Sequence, residues 1–135
     1  MGVWGAGNFD GDLPRDFLAD LVFRWEQLIG ALLAGETPKE AADYQFDLRL
    51  DTCEACVMPT VEVLIAVAER LEPDYLPPPE AVKRWRLQYL GLFDREARSW
   101  DAGPEHEAER RAVIEATFRR LLDIARSRRV DEAGA

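Results

Sequence analysis

Apolar residues recur at three- and four-residue steps through four long stretches of the chain, the spacing that gives an α-helix one apolar face. The first stretch follows Asp12, an expected N-cap, and ends at Gly35. Phe23 points away from its apolar face, and we favour cover by the residues before Asp12 over contact with a partner. The core face is predicted to comprise Phe17, Leu18, Leu21, Val22, Trp25, Leu28, Ile29 and Leu32.

The most apolar stretch follows Asp51, and the breadth of its apolar face predicts a central helix with several neighbours. Asp51 and Glu54 have the spacing of a capping box, as have Thr37 and Glu40 before a short helix. Pro59 is expected to kink the central helix or to divide it. Residues 45–50 alternate, but no second strand is evident, so they are interpreted as a connector or frayed helix. The central core stripe is predicted to contain Val57, Val61, Leu64, Ile65, Val67, Ala68 and Leu71.

Residues 72–79 include three consecutive prolines and are predicted to be a rigid spacer rather than a polyproline ligand. The next helix is predicted from about 80 to 98, with Arg86 on its inward face, where a cation needs an acidic partner or a partly exposed stem. The last helix is predicted over about 104–128. Its core face is expected to contain Val113, Ile114, Thr117, Phe118, Leu121, Ile124 and Ala125.

Together these elements predict an all-α fold, a single-domain bundle of four to five helices with mostly antiparallel neighbours. The helical domain is expected over residues 1–129, followed by a disordered tail at 130–135. No apolar run approaches the roughly 20 residues that cross a bilayer, and the N-terminus lacks the basic and apolar regions of a signal peptide. We therefore expect a cytoplasmic protein that does not enter a membrane.

The stretch before Asp12 sets Trp4 and Phe9 among four glycines. An aromatic side chain buries on the order of 150–250 Å² when it is packed. We therefore predict that this Gly/Trp loop packs on the core, in which case Trp4→Ala should cost about 3–5 kcal/mol of folding stability.

The same stretch follows the order Met-Gly-x-Trp-Gly-x-Gly-x-Phe-Asp-x-Asp, with a further Asp four residues later. In this respect the chain resembles a bacterial domain-of-unknown-function family, number 4259, over about its first 21 residues. The resemblance implies a bacterial origin, but no activity, cofactor or catalytic residue. The residues that carry it, interpreted as structural, are Gly2, Trp4, Gly5, Gly7, Phe9, Asp10, Asp12 and Asp16.

The net charge of −9 is divided unevenly along the chain. Residues 1–74 contain 15 acidic and 5 basic side chains, whereas residues 75–135 contain 11 acidic and 12 basic ones. An acidic surface repels phosphate backbones, so the composition disfavours nucleic acid as a partner. A basic protein partner, or a homodimer that pairs the two halves, fits the asymmetry better.

Cys53 and Cys56 form the one chemically suggestive pair. A Cys-x-x-Cys at a helix N-terminus can lower a thiol pKa, which suggests a small thiol redox or metal-binding protein. The flanking residues of a thioredoxin motif are missing, however, and a zinc site wants four ligands where only His106 could join the pair. We favour reduced cysteines that face the core.

The aspartates at positions 10, 12, 16 and 20 lack the spacing of a calcium loop and suit helix capping instead. No phosphate-binding loop, nucleophile elbow or zinc-protease motif is present in the sequence. The sequence thus assigns no catalytic residue, metal or cofactor and disfavours an enzyme. It favours a non-catalytic protein-binding module of inhibitor or immunity type, with Phe23 and Trp100 as stray aromatic residues on the helices.

Overall fold

Four α-helices form an up-down-up-down bundle in the computed structural model, which describes residues 5–134 and their side chains as far as Arg128. The helices are α1 (Asp12–Leu33), α2 (Arg49–Leu71), α3 (Pro79–Glu96) and α4 (Pro104–Gly134). Two short 3₁₀ helices, Lys39–Tyr44 and Ala97–Trp100, lie in the connections. No strand is found among the described residues, and the predicted all-α bundle is confirmed.

The helix α2 occupies the centre of the bundle and packs on α1, α3 and α4, as its broad apolar face predicts. Salt bridges between α2 and α4 join Glu54 to Arg110 and Glu69 to Arg120, so these two helices run in the same direction. The largest fully buried side chains include Trp85, Tyr89, Phe118, Ile29, Leu50, Leu64, Ile65, Ile114 and Leu121. All four helices therefore contribute to one continuous core.

Neither predicted capping box forms, and α1 begins at Asp12 itself with Gly11, not Asp12, as its N-cap residue. The first turn of α2 begins at Arg49, and its Leu50 amide donates to Glu96 Oε1 of α3 at 2.9 Å. Asp51, a predicted cap, instead accepts a hydrogen bond from Trp100 Nε1 at 2.7 Å. A capping residue must precede its helix, but α2 begins two residues before Asp51.

Two apolar residues predicted to face the core, Phe17 and Val113, are instead more than half exposed. Each stands at the start of a row of four-residue steps along its helix. Such a step turns by about 400° in a helix of 3.6 residues per turn, so the row drifts by about 40° each time. Two steps therefore place Phe17 about 80° away from Trp25, and Val113 equally far from Leu121.

The helical backbone is more continuous than the sequence suggests. Pro59 lies inside α2 without dividing it, and its ring is exposed on the outer side of the helix. The helix α4 continues to Gly134, since no proline or glycine interrupts residues 105–133. Residues 130–134, the described part of the segment for which a disordered tail is predicted, are therefore helical. The expected domain limit at residue 129 therefore falls within a helix.

Candidate protein-binding surfaces

The N-terminal loop closes on itself in its described part. The Gly7 amide donates to Asp10 Oδ2 at 2.7 Å, and the Asp10 amide donates back to the Gly7 carbonyl at 3.2 Å. A Cβ atom on Gly7 would lie only 2.6 Å from Asp10 Oδ2, which explains why this turn needs glycine. These contacts give Gly7 and Asp10 a structural role within the loop.

The described residues of the loop do not themselves pack on the core, in contrast to the prediction for the whole loop. Gly5, Gly7 and Asp10 are exposed, and Phe9 is only half-buried, so the described part of the loop lies on the surface. The five described residues before Asp10 include only one aromatic side chain. Their backbone N–H and C=O groups therefore stay in contact with water. Gly2 and Trp4 lie outside the described residues, and the predicted burial of Trp4 stays a prediction.

Arg15 ties the start of α1 to the end of α2. Its guanidinium donates to the Leu71 carbonyl at 2.9 Å and to Asp74 Oδ1 at 2.9 Å. The hydrogen bond from Arg15 is the main reason that the pKa of Asp74 lies below its ordinary value. A lone arginine in an acidic segment gives no sequence signal for this role, because its acceptors lie 56 to 59 residues away.

The first turns of α1 present an apolar surface to solvent. Leu13 and Phe17 are 61% and 57% exposed, one helical turn apart. Asp16 and Asp20 are exposed beside them, on the side of the helix opposite the buried Leu18 and Val22. We call Leu13, Asp16, Phe17 and Asp20 the α1 face.

Phe23 is held by the connector after α2. Its ring meets the Tyr75 ring edge-on, with the ring centroids 5.7 Å apart, and the Tyr75 hydroxyl donates to Glu26 Oε1. Burial and this carboxylate raise the pKa of Tyr75. Phe23 thus makes an aromatic contact within the bundle, although 45% of it is still exposed. Its expected cover by the N-terminal loop stays a prediction, since residues 1–4 lie outside the described residues.

The two cysteines lie in α2 without a disulfide bond, Cys53 buried and Cys56 half-buried. Burial raises the pKa of Cys53 to about 11, and the nearby Arg49 offsets only part of this rise. Burial also raises the pKa of Cys56. Because the thiolate is the nucleophile and the metal ligand, both shifts oppose the reactivity that the Cys-x-x-Cys spacing suggests. No group of three or more His, Cys, Asp or Glu residues in the described part of the chain could hold a metal ion.

Glu54, Tyr89 and Arg110 form a polar cluster between α2, α3 and α4 that no pattern in the sequence predicts. The Arg110 guanidinium donates from Nε to both Glu54 oxygens, at 3.1 and 3.2 Å, across a half-buried interface. The Tyr89 hydroxyl is buried without a hydrogen-bond partner nearby, and burial followed by the charge of Glu54 raises its pKa. A protonated phenol and a paired carboxylate suit a structural role that fixes α4 on α2.

A basic groove separates α3 from α4 near the end of the bundle at which α1 begins. This cavity of about 370 Å³ is lined by Lys83, Arg86, Leu87, Arg119, Leu122, Asp123 and Arg126. Arg86 pairs with Glu115, which confirms the expectation that this inward cation has an acidic partner. Lys83 and Arg126 form no ion pair with any described side chain. On a protein of charge −9, four cations around one cavity mark a distinct surface.

Comparison of the chain with protein-family models, with curated proteins and with solved structures finds no match. The resemblance to family 4259 therefore stays a prediction that is based on the N-terminal signature. None of the described helices combines the length and apolar character needed to cross a membrane. Any functional inference must accordingly be based on the surfaces themselves.

Proposed function

We propose that this chain is a non-catalytic protein-binding module that uses the α1 face to capture a basic partner. The observation that carries the proposal is the exposure of Leu13 and Phe17 on one side of α1, next to the exposed Asp16 and Asp20. Apolar anchors repeated at three- and four-residue steps are the usual way in which a helix docks into a groove of another protein.

The charges beside these anchors support a basic partner. Asp16 and Asp20 would face a docked protein directly, and the excess of ten acidic over basic side chains in residues 1–74 surrounds them with negative potential. Complementary charge accelerates association and excludes wrong partners more than it adds to affinity. Affinity would come mainly from Phe17, since buried aromatic anchors dominate binding energy at protein interfaces.

The inhibitor or immunity role proposed for this module follows from its size and chemistry. Such a protein acts by covering another protein, which requires a stable scaffold and a complementary surface but no catalytic group. A small acidic bundle with apolar anchors on one helix meets both requirements. In this proposal the setting is the bacterial cytoplasm, in line with the family resemblance.

The alternative function, a thiol redox or metal-binding protein, is disfavoured by the raised pKa values of Cys53 and Cys56. A separate experiment tests it. Titration of the native protein with a thiol reagent at pH 7 should proceed slowly, and unfolding should release both thiols. Rapid reaction of the folded protein, or a metal that copurifies in stoichiometric amount, would instead favour redox or metal function.

Affinity capture with matched variants tests the docking proposal. The full-length chain serves as bait in extract of its native cells, beside the double variant Leu13→Ser/Phe17→Ser. Val63→Ser is the control, because Val63 is 48% exposed on α2, away from the α1 face. We expect a stoichiometric basic protein to bind the wild type and the control, and to be lost from the double variant. Equal recovery on all three baits, or no recovered protein at all, would contradict the proposal.

A further inference from the structure

The α1 face and the basic groove both combine apolar side chains with charges, and the charges are of opposite sign. On α1, the exposed Phe17 lies beside Asp16 and Asp20, which are one helical turn apart. On α4, Leu122 lies between Arg119 and Arg126, within the row of residues that lines the groove. The spacing of the two sets differs, but each surface presents an apolar side chain next to two like charges.

The groove can also receive an apolar anchor. Leu87 is 66% exposed at its edge, and the half-buried Leu122 forms part of its lining. A cavity of about 370 Å³ lies within the size range of pockets that enclose small ligands. It is therefore large enough for one aromatic side chain, with Lys83 and Arg126 available for carboxylates beside it.

Both surfaces lie at the same end of the bundle. Arg15 fixes the start of α1 to the end of α2, and α3 begins only eight residues after Leu71. Because α4 runs antiparallel to α3, as the pairing of Arg111 with Asp94 shows, residues 119–126 reach this end as well. Two copies that meet at this end could each offer an α1 face to the groove of the other.

We propose that the α1 face docks into the basic groove of a second copy of this chain, with Phe17 inserted beside Leu122 and with Asp16 and Asp20 facing Lys83 and Arg126. The contact forms twice around a two-fold axis and closes a dimer, the commonest symmetry of soluble oligomers. This inference rests on the proposed role of the α1 face in binding and names the basic surface that it binds. Because one chain has both an acidic face and a basic groove, a second copy is a partner that can match both surfaces at once.

Sedimentation of the purified full-length chain tests the dimer directly. At about 50 mM salt we expect a monomer–dimer equilibrium, whose dissociation constant rises as salt approaches about 500 mM and screens the facing charges. Asp16→Lys/Asp20→Lys should raise the dissociation constant at least about tenfold, and Lys83→Glu/Arg126→Glu should do the same. A wild-type chain that stays monomeric at millimolar concentration in low salt would overturn the proposal.

Mixing the two reversed variants gives the sharper test. Each variant alone would bring like charges together, but an equimolar mixture restores opposite charges at both contacts of the dimer. We therefore expect the mixture to recover association to within about threefold of the wild type. Association of either variant alone as tight as that of the wild type, or a mixture that stays monomeric, would contradict the proposed pairing.

Charge reversals elsewhere control for changes in net charge. Glu40→Lys/Glu62→Lys and Lys39→Glu/Arg98→Glu alter exposed side chains away from both surfaces, and we expect each variant to dimerise as the wild type does. Circular dichroism should show that all the variants remain folded, since every substituted side chain is exposed. Equal weakening by a control pair would mean that net charge, and not this contact, governs association.

The extract experiment separates this inference from the proposed function. If the α1 variant loses another protein from the extract while the purified chain stays monomeric, the α1 face is a docking surface and the dimer is wrong. If the captured protein is the same chain, the α1 face docks as proposed, but its partner is the basic groove of a second copy and not a separate basic protein. If neither capture nor association depends on Leu13 and Phe17, both fail.

Discussion

The two halves of α1 contain the same kinds of apolar residue but meet opposite surroundings. Leu13 and Phe17 near its start are mostly exposed, whereas Ile29 and Leu32 near its end are buried, Ile29 completely. The later half lies against α2 at its central apolar stripe. In the earlier half one side, with Leu18 and Val22, is buried, the other side is exposed, and Arg15 adds polar contacts. The apolar content of a helix therefore does not decide burial, because the neighbouring helix must also supply a surface at that position.

The largest effect expected on α1 is at its buried end. Ile29→Ala should lower the free energy of unfolding by about 2–5 kcal/mol, because it removes apolar contacts and leaves a cavity in a close-packed core. Urea unfolding followed by circular dichroism measures this change. A loss below 1 kcal/mol would mean that the two halves of α1 are packed more alike than their exposure indicates.

Arg15 should be the strongest contact of the exposed half. Arg15→Ala leaves the Leu71 carbonyl and Asp74 without their charged donor, and we expect a loss of about 1–3 kcal/mol. Arg24→Ala is the matched control on the same helix, since Arg24 is exposed and a surface substitution changes stability by only about 0.5 kcal/mol. Equal effects of the two substitutions would show that the start of α1 is not fixed by Arg15.

The same contact should give a small dependence of stability on pH. The pKa of Asp74 is lower in the folded chain than in the unfolded one, mainly because of the hydrogen bond from Arg15. Its contribution is therefore present at pH values above the unfolded pKa of about 4 and is lost as pH falls through the folded pKa. Urea unfolding between pH 5 and pH 2 should show a shallower loss for Asp74→Asn than for the wild type. Identical pH profiles would argue that the carboxylate is not paired in solution.

The sequence predicts the bundle well because its signal is local. The apolar stripes of α2 and α4 identify much of the core, including Leu64 and Phe118, since a helix repeats its faces within a few residues. The first positions of the α1 and α4 stripes are predicted less well, as Phe17 and Val113 show, because a row of four-residue steps drifts around its helix. The contacts of Arg15 and the lining of the basic groove bring together residues that are far apart in the chain. A single sequence does not show which residues meet across such distances.

The smallest effect on stability is expected at Phe17, where the comparison between the two halves of α1 is most sharply tested. Phe17→Ser removes a large apolar side chain, but more than half of it is already in water, so we expect the free energy of unfolding to change by no more than about 0.5 kcal/mol. An aromatic residue that contributes little to folding and is decisive for docking belongs to a binding surface. Urea unfolding and sedimentation of the same preparation separate the two roles. A stability loss as large as that of Ile29→Ala would show instead that Phe17 packs on the bundle in solution, and the α1 face would then lose its central anchor.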